Sequence, residues 1–412
     1  VHGEHQRRES SPLAALLVTT TDSRLRVVPL SALKAATTHK VARDAVFAAF
    51  IALARGDVVN PSPMSLATTA ASSASPSAST STAAAITGPT SSLQTCEEGE
   101  VHIKAAWIRG SPTYTVKVAA GYYSNPALYN LPSGSGAVLV CSARTGAARA
   151  LLADEGWLTD MRTAAAGALA ARAALVPAPA AVPRGATRSS GGDHGGARRS
   201  RRKLKVAVLG AGVQARMQLE AIHAALADVS GFGSCGEGEA ECEWDWEEVR
   251  VWARRSEAAK AFVANLSSST SSSLSPGSYG DISVAATPRE AVAGAHLIVT
   301  TTPSRHALIT CPEWLSPGAT IVAVGSDGVG KRELGPRVVA AAARVVVDVE
   351  AQSRQLGELQ GAAAKGGMLV DGAWDAAEVV TLGDVLGGTF AARRSAHELV
   401  IVDLTGTGAQ DT

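Results

Sequence analysis

Several things are scarce in this chain of 412 residues, and each absence excludes a class. Neither charge sign is in excess. The formal net charge is +1, which argues against nucleic acid or an anionic membrane surface as partner. Although 46% of the residues are hydrophobic, no uninterrupted apolar run is long enough to span a bilayer. The five cysteines (Cys96, Cys141, Cys235, Cys242 and Cys311) are odd in number and scattered, without a CxxC pair. They form no disulfide framework and suit a reducing compartment. Cys235 and Cys242 have acids nearby but no histidine and no recognised zinc spacing, so they read as loop, and no metal site is expected. The basic run at 198–203 lacks interleaved aromatics and reads as a solvated linker. Cytoplasmic location is expected. The chain begins at Val1 rather than Met, which leaves a lost targeting peptide, and hence an organelle, open.

What is present centres on residues 203–215, KLKVAVLGAGVQA. Two lysines lead into a β-branched run, a Gly-x-Gly-x-x-Ala turn follows, and a helix-prone segment begins. This is the order of a dinucleotide site. Gly210 permits the tight turn, Gly212 lets a pyrophosphate approach bare backbone, and Ala215 keeps helix and sheet close. Val213 and Gln214 lie at the helix N-terminus, whose free N–H groups face the phosphates.

The rest of the chain alternates in the rhythm of an α/β protein. Residues 25–30 predict a strand and 41–54 a helix; 67–92, built from Ala, Ser, Thr and Pro, predict a disordered insertion. Strands are expected at 101–108, 114–118 and 137–142, then an alanine-rich helix to about 174 with Thr159 as N-cap. A basic Gly/Ser-rich linker over 183–202 precedes the nucleotide domain, expected over 203–348 with insertions at 231–247 and 266–280. Within it, strands are expected at 249–252, 296–302, 320–324 and 344–348. Beyond 348 the pattern leaves that domain. A helix at 355–364 and a strand at 399–404 suggest that 349–412 return to the first domain, residues 1–182.

LTDMRTAAA at 158–166, VLGAGVQA, and VGSDGVGKREL at 324–334 together resemble the ornithine cyclodeaminase/μ-crystallin family. The resemblance extends to VHIKAAWIRG at 101–110, YTVKV at 114–118, residues 347–359 and VDLTGTGAQDT at 402–412. YNLPSGSG, VCSARTG and the C-terminal motif look most like its branch of ectoine-utilisation cyclodeaminases and iminosuccinate reductases. The family implies a homodimer in which a Rossmann domain is inserted into an α/β substrate-binding and dimerisation domain. Its chemistry is nicotinamide hydride transfer at an amine or imine carbon of a small amino or imino acid. Relatives usually continue past the equivalent of Thr412 into a helix, which leaves a truncated C-terminus open.

The resemblance gives roles to residues whose own setting leaves alternatives open. Lys117 reads by spacing as a surface strand lysine, and by the family as the partner of the substrate carboxylate or carbonyl and a catalytic residue. Arg162, expected in the first turn of its helix where the dipole disfavours a cation, points to an anionic ligand, with a buried salt bridge as the alternative. Asp327 lies past a strand end in a GSDG turn. It is either a turn aspartate or, by the family motif, the acid/base at the substrate nitrogen, a role that asks for a pKa near neutral. Lys331 matches a cofactor-binding lysine. Ser133 matches a family threonine near the nicotinamide, and Thr405 is grouped with the substrate residues. Thr301, Thr302 and Val324 are assigned to the cofactor.

Two departures bear on specificity. Lys104 stands where ornithine cyclodeaminases carry a glutamate, a reversal that repels a diamine and attracts a second carboxylate. The family's Pro-x-Arg segment appears here as Asn60-Pro61-Ser62-Pro63-Met64, without the arginine. After the second Rossmann strand, Arg254, Arg255 and Ser256 replace the carboxylate of an NAD site. NADP(H) is therefore expected over NAD(H). Three functions stay open: reduction of an acidic, iminosuccinate-like imino acid; cyclodeamination with retained NAD(P)+; and non-catalytic ligand binding. Retention of both Lys117 and Asp327 disfavours the last.

Overall fold

The computed structural model describes residues 24–69, 98–175, 200–228, 242–268, 277–360 and 378–412. Two sheets organise them. The first comprises β1 (Arg26–Pro29), β2 (Val58–Val59), β3 (Met64–Thr69), β4 (Glu98–Ile108), β5 (Thr113–Gly121), β6 (Gly134–Ser142) and β7 (Ala148–Ala153). Its order is β1-β7-β6-β5-β4-β2, with β3 also on β4. The neighbours are antiparallel except for β1 on β7.

Side chains alternate across a strand, so the β4–β5 ladder has two unlike faces. One carries Glu100, His102 and Lys104, with Lys117 directly opposite Lys104. The other carries Val101, Ile103 and Val118, flanked by Met64 and Leu66 of β3. Met64, Leu66 and Val118 remain exposed. Strand β3 reaches into the expected insertion at 67–92, of which 70–92 lie outside the described residues. Strand β7, with its weak ARALLA pattern, was not expected from the sequence.

The second sheet comprises β8 (Ser200–Leu209), β9 (Cys242–Trp252), β10 (Asp281–Val284), β11 (Leu297–Thr300), β12 (Thr320–Ala323), β13 (Arg344–Val347), β14 (Glu378–Thr381) and β15 (Val400–Asp403). All are parallel in the order β10-β9-β8-β11-β12-β15-β13-β14. Strand order reverses between β8 and β11, the switch point where doubly wound folds bind ligands. The strand expected at 399–404 forms, but between β12 and β13 of this sheet rather than in the first domain. Its VIVD run is fully buried, as a central parallel strand must be. Strand β14 pairs here too, so the chain does not leave the sheet after 348. Residues 404–412 do return. The 3-10 turn Gly408–Asp411 lies against β4 and β5, and the Thr412 hydroxyl is 2.9 Å from that of Thr115.

Other boundaries moved. Strand β8 starts inside the expected linker, and β9 starts inside the expected 231–247 insertion. The helix before β10 runs Ser256–Ser268, into the 266–280 insertion. The helix expected at 355–364 forms earlier, as Glu350–Leu356, and 361–364 lie outside the described residues. So does Cys235; Cys242 opens β9.

The alanine-rich helix spans Trp157–Leu175, earlier than Thr159 would have capped it. Asp154 takes that role: its Oδ2 accepts the Leu158 N–H at 2.8 Å. Arg162 consequently sits in the second turn, one turn removed from the strongest dipole field. Small residues let this helix pack closely on the helix Val213–Ala227. Gln218, fully buried, donates across the contact to the Thr163 carbonyl at 3.0 Å, and a Cβ on Gly167 would fall 1.9 Å from its Oε1. Gly167→Ala is therefore expected to destabilise the protein by about 1–3 kcal/mol through overpacking, read as a lowered Tm.

Candidate active site

The turn after β8 has the geometry of a nucleotide cradle. Gly210 has φ +126°, and a Cβ there would lie 2.4 Å from the Thr301 hydroxyl. Gly212 caps the helix Val213–Ala227 without a side-chain bond, and nothing lies within 4 Å of where its Cβ would be. The first N–H groups of a 15-residue helix thus face open space beside the switch point. Val213 is exposed there, and Ala215 is buried against the sheet. These features fit a dinucleotide pyrophosphate.

The other residues assigned to the cofactor divide into two groups. Arg254, Arg255 and Ser256 are exposed just past β9, whose Trp252 carbonyl accepts the Gly210 N–H at 2.8 Å. The nearest following acid, Glu257, accepts from the Ser256 hydroxyl at 3.0 Å. Gln214 instead turns away, donating to Asp160 Oδ1 at 2.7 Å. Thr302 donates its N–H and hydroxyl to Glu333 Oε1, at 2.6 and 2.7 Å. Glu333 also accepts from the Thr300 hydroxyl and the Gly325 N–H, so it braces the loops after β11 and β12. Val324 is buried in the core beneath them.

Across from the cradle, the polar face of β4–β5 meets the returning C-terminus. Lys117 is 1% exposed and its Nζ lies 2.7 Å from Asp411 Oδ1. Arg162 Nε approaches the same oxygen at 3.3 Å, and its Nη1 donates to Gln410 Oε1 at 2.9 Å. Lys104, also buried, donates to the carbonyls of Gly406 at 2.8 Å and Thr405 at 3.3 Å. The Thr405 hydroxyl donates to Asp348 Oδ1 and accepts from Gln352. Thr405 therefore shapes the loop under Lys104. Burial, then the Arg162 charge, pushes Lys117 down to about 7 against the pull of Asp411. Burial, then Arg162, also lowers Lys104.

A second charged group sits at the other end of this face. Lys331 Nζ, from the turn after β12, lies 2.8 Å from Asp327 Oδ1 and 2.6 Å from Glu100 Oε1 of β4. The Tyr123 hydroxyl donates to Glu100 at 2.7 Å. Lys331 is 3% exposed, and these partners set its position within the protein. The pKa expected near neutral for Asp327 is not what this setting produces. Burial pushes it up most, but the Lys331 ammonium, helped by His102 and Lys104, brings the carboxyl below its ordinary value. Ser133 lies in the turn before β6, where its carbonyl accepts the Tyr122 N–H. Asp411, Gln410, Glu100, His102 and Tyr123 were not singled out from the sequence. The alternation Glu100-x-His102-x-Lys104 was the signal that could have found three of the residues on this face.

A doubly wound sheet with a glycine cradle at its switch point, together with buried cations on a mixed sheet, is an arrangement suited to a nicotinamide-dependent enzyme acting on C–N bonds, the class that comparison with known proteins gives. The chain belongs to the ornithine cyclodeaminase/mu-crystallin family, whose profile matches residues 237–412. A Rhizobium meliloti protein bearing a dehydrogenase name is 38% identical over 316 residues, 76% of this chain and 78% of that one. A Sinorhizobium fredii protein named as an uncharacterized cyclodeaminase is 35% identical over 76% of this chain and 78% of its own length. The iminosuccinate reductase of Paracoccus denitrificans in complex with NAD+ shares the fold, with TM-score 0.61 at 22% identity, over 94% of this chain and 92% of that chain.

Gly210→Ala is expected to weaken nucleotide binding roughly tenfold or more, since a Cβ at this φ is both strained and blocked by Thr301. Titration of reduced-nicotinamide fluorescence measures it.

Proposed function

We propose that the protein is an NADPH-dependent reductase of a small acidic α-imino acid, acting on the protonated imine. The observation that carries this reading is the pairing of two sites in one fold: the glycine cradle, and the Lys104, Lys117 and Arg162 cations, with the helix that opens at the cradle bonded through Gln214 to Asp160 of the helix that carries Arg162. Bound at the cradle, a reduced nicotinamide would supply a hydride to the imine carbon.

The protein's residues do the rest. Arg162 and Lys117 bind the α-carboxylate, and Asp411 keeps them oriented. Lys104 has two of its three N–H donors on backbone carbonyls, and the third serves a second carboxylate. Asp327, held as an anion beside Lys331, accepts the hydrogen bond of the protonated substrate nitrogen. The proton retained in the amine thus arrives on the substrate nitrogen. Arg254 and Arg255 favour a 2′-phosphate on the coenzyme. The exposed Met64, Leu66 and Val118 face supports a homodimer formed through the first sheet. Cyclodeamination is the second reading, favoured by the name of the S. fredii relative.

The test follows NADPH and NADH oxidation with oxaloacetate plus ammonia, other 2-oxo acids with amines, and cyclic ketimines. Turnover with oxaloacetate and ammonia, faster with NADPH, is expected. Asp327→Asn should lower kcat by about 10²–10³-fold, as for loss of a preorganised electrostatic partner. Wild-type turnover in that variant would remove Asp327 from the reaction. Ammonia release from a diamino acid, with no imine reduction, would establish cyclodeamination instead.

The pH dependence has a definite sign. Lys117, with its pKa brought to about 7, carries its ammonium below that pH and loses it as pH rises through it. In the free enzyme, kcat/KM for an anionic substrate should fall as pH rises through 7. Lys117→Arg, cationic throughout, should abolish that limb of the profile.

A further inference from the structure

Lys331 has more anionic company than its expected role as a cofactor ligand requires. Its Nζ, nearly inaccessible to solvent, lies between two carboxylates from different parts of the fold: Asp327 in the turn after β12 and Glu100 on β4. Tyr123 completes the arrangement by donating to Glu100 Oε1, the same oxygen that faces Lys331, while its hydroxyl lies 3.3 Å from Nζ. His102 stands beside it on the same strand face. Its Nδ1 is 3.1 Å from the Ser65 hydroxyl, and its Nε2, buried without a hydrogen bond among the described residues, is 3.8 Å from Glu100 Oε2.

A lysine paired with Asp327 alone would cancel the carboxylate that the protonated imine needs. A second carboxylate on the same ammonium offsets it. We propose that Glu100 is a positioning residue for Asp327: by sharing Lys331 Nζ, it leaves the Asp327 carboxylate charge available to a cationic substrate nitrogen. The inference rests on the reading of Asp327 as the partner of that nitrogen.

The titratable groups facing Asp327 are Lys331 on its own turn, His102 and Lys104 on β4, and Tyr123, with Glu100 reaching it through Lys331. Among them, Glu100 and Lys331 act in opposite directions. Removing the Glu100 charge leaves Lys331 to Asp327 and makes its proton easier to lose. Removing the Lys331 charge does the reverse. A fixing role for the loop would have no such sign.

The experiment titrates Asp327 by NMR in protein labelled with carboxyl-¹³C aspartate, its resonance assigned by its absence from Asp327→Asn. Glu100→Gln is expected to lower the Asp327 titration midpoint by about one pH unit, and Lys331→Met to raise it by at least as much. Glu100→Gln should also raise KM for the imino acid more than it lowers kcat, and Glu100→Asp should restore part of the difference. An Asp327 midpoint unchanged in Glu100→Gln, with Tm lowered or not, overturns the proposal. If Lys331→Met does not fold, the Glu100→Gln and Glu100→Asp pair decides it alone. Full activity in Asp327→Asn would defeat the underlying reading instead, and the midpoints would still report whether Glu100 and Asp327 share the lysine.

Discussion

Two lysines face each other across the β4–β5 ladder, both buried, and the site depends on how that repulsion is met. Like charges directly opposite in a sheet destabilise it, and burial adds a desolvation cost to each. Among the described residues, the first sheet contributes no carboxylate beside them. Relief comes from the far end of the chain: Asp411 against Lys117 and Arg162, and the carbonyls of Thr405 and Gly406 against Lys104. The turn that delivers these groups follows β15, a central strand of the nucleotide sheet. One charge problem therefore ties the two sheets together through the turn after β15.

This dependence explains which features were legible in the sequence. The cradle was, because Gly210, Gly212 and Ala215 each answer a local demand of backbone conformation or close approach. So were the six inner parallel strands, since apolar β-branched runs buried on both faces leave little ambiguity of type; the edge strands β10 and β14, only partly buried, were not expected. The location of β15 was not. VIVD reads as a buried strand wherever it pairs, and nothing local distinguishes an edge of the first sheet from the gap between β12 and β13. The cap at Asp154 was hidden for a related reason. Thr159 fits the local pattern, and only the turn before Trp157 reveals that the helix has already begun.

The candidate site divides along the same line. Lys117, Arg162 and Asp327 could be singled out by motif, but their partners could not. Asp411 is some three hundred residues from Lys117, and Glu100 is separated from Lys331 by more than half the chain. An aspartate expected near neutral proved to be held low because its partner is a lysine four residues on. That changes the chemistry it suits. A carboxylate that stays ionised is better matched to a substrate that arrives protonated than to one waiting for a proton.

Such a site needs its two walls fixed relative to one another, and Glu333 does much of this on the nucleotide side. Its carboxylate is fully buried with no cation paired to it among the described residues, yet it accepts from the Thr300 and Thr302 hydroxyls and from the N–H groups of Thr302 and Gly325. Burial raises its pKa and these four donors pull the other way. Donors from two successive strand ends converge on one side chain, so neither loop can shift without leaving a buried acceptor unsatisfied. The loop after β11 packs over Gly210, and the loop after β12 carries Asp327. Glycine turn and carboxylate are thereby locked in one frame, the condition for a hydride donor and a cationic nitrogen to meet at fixed separation.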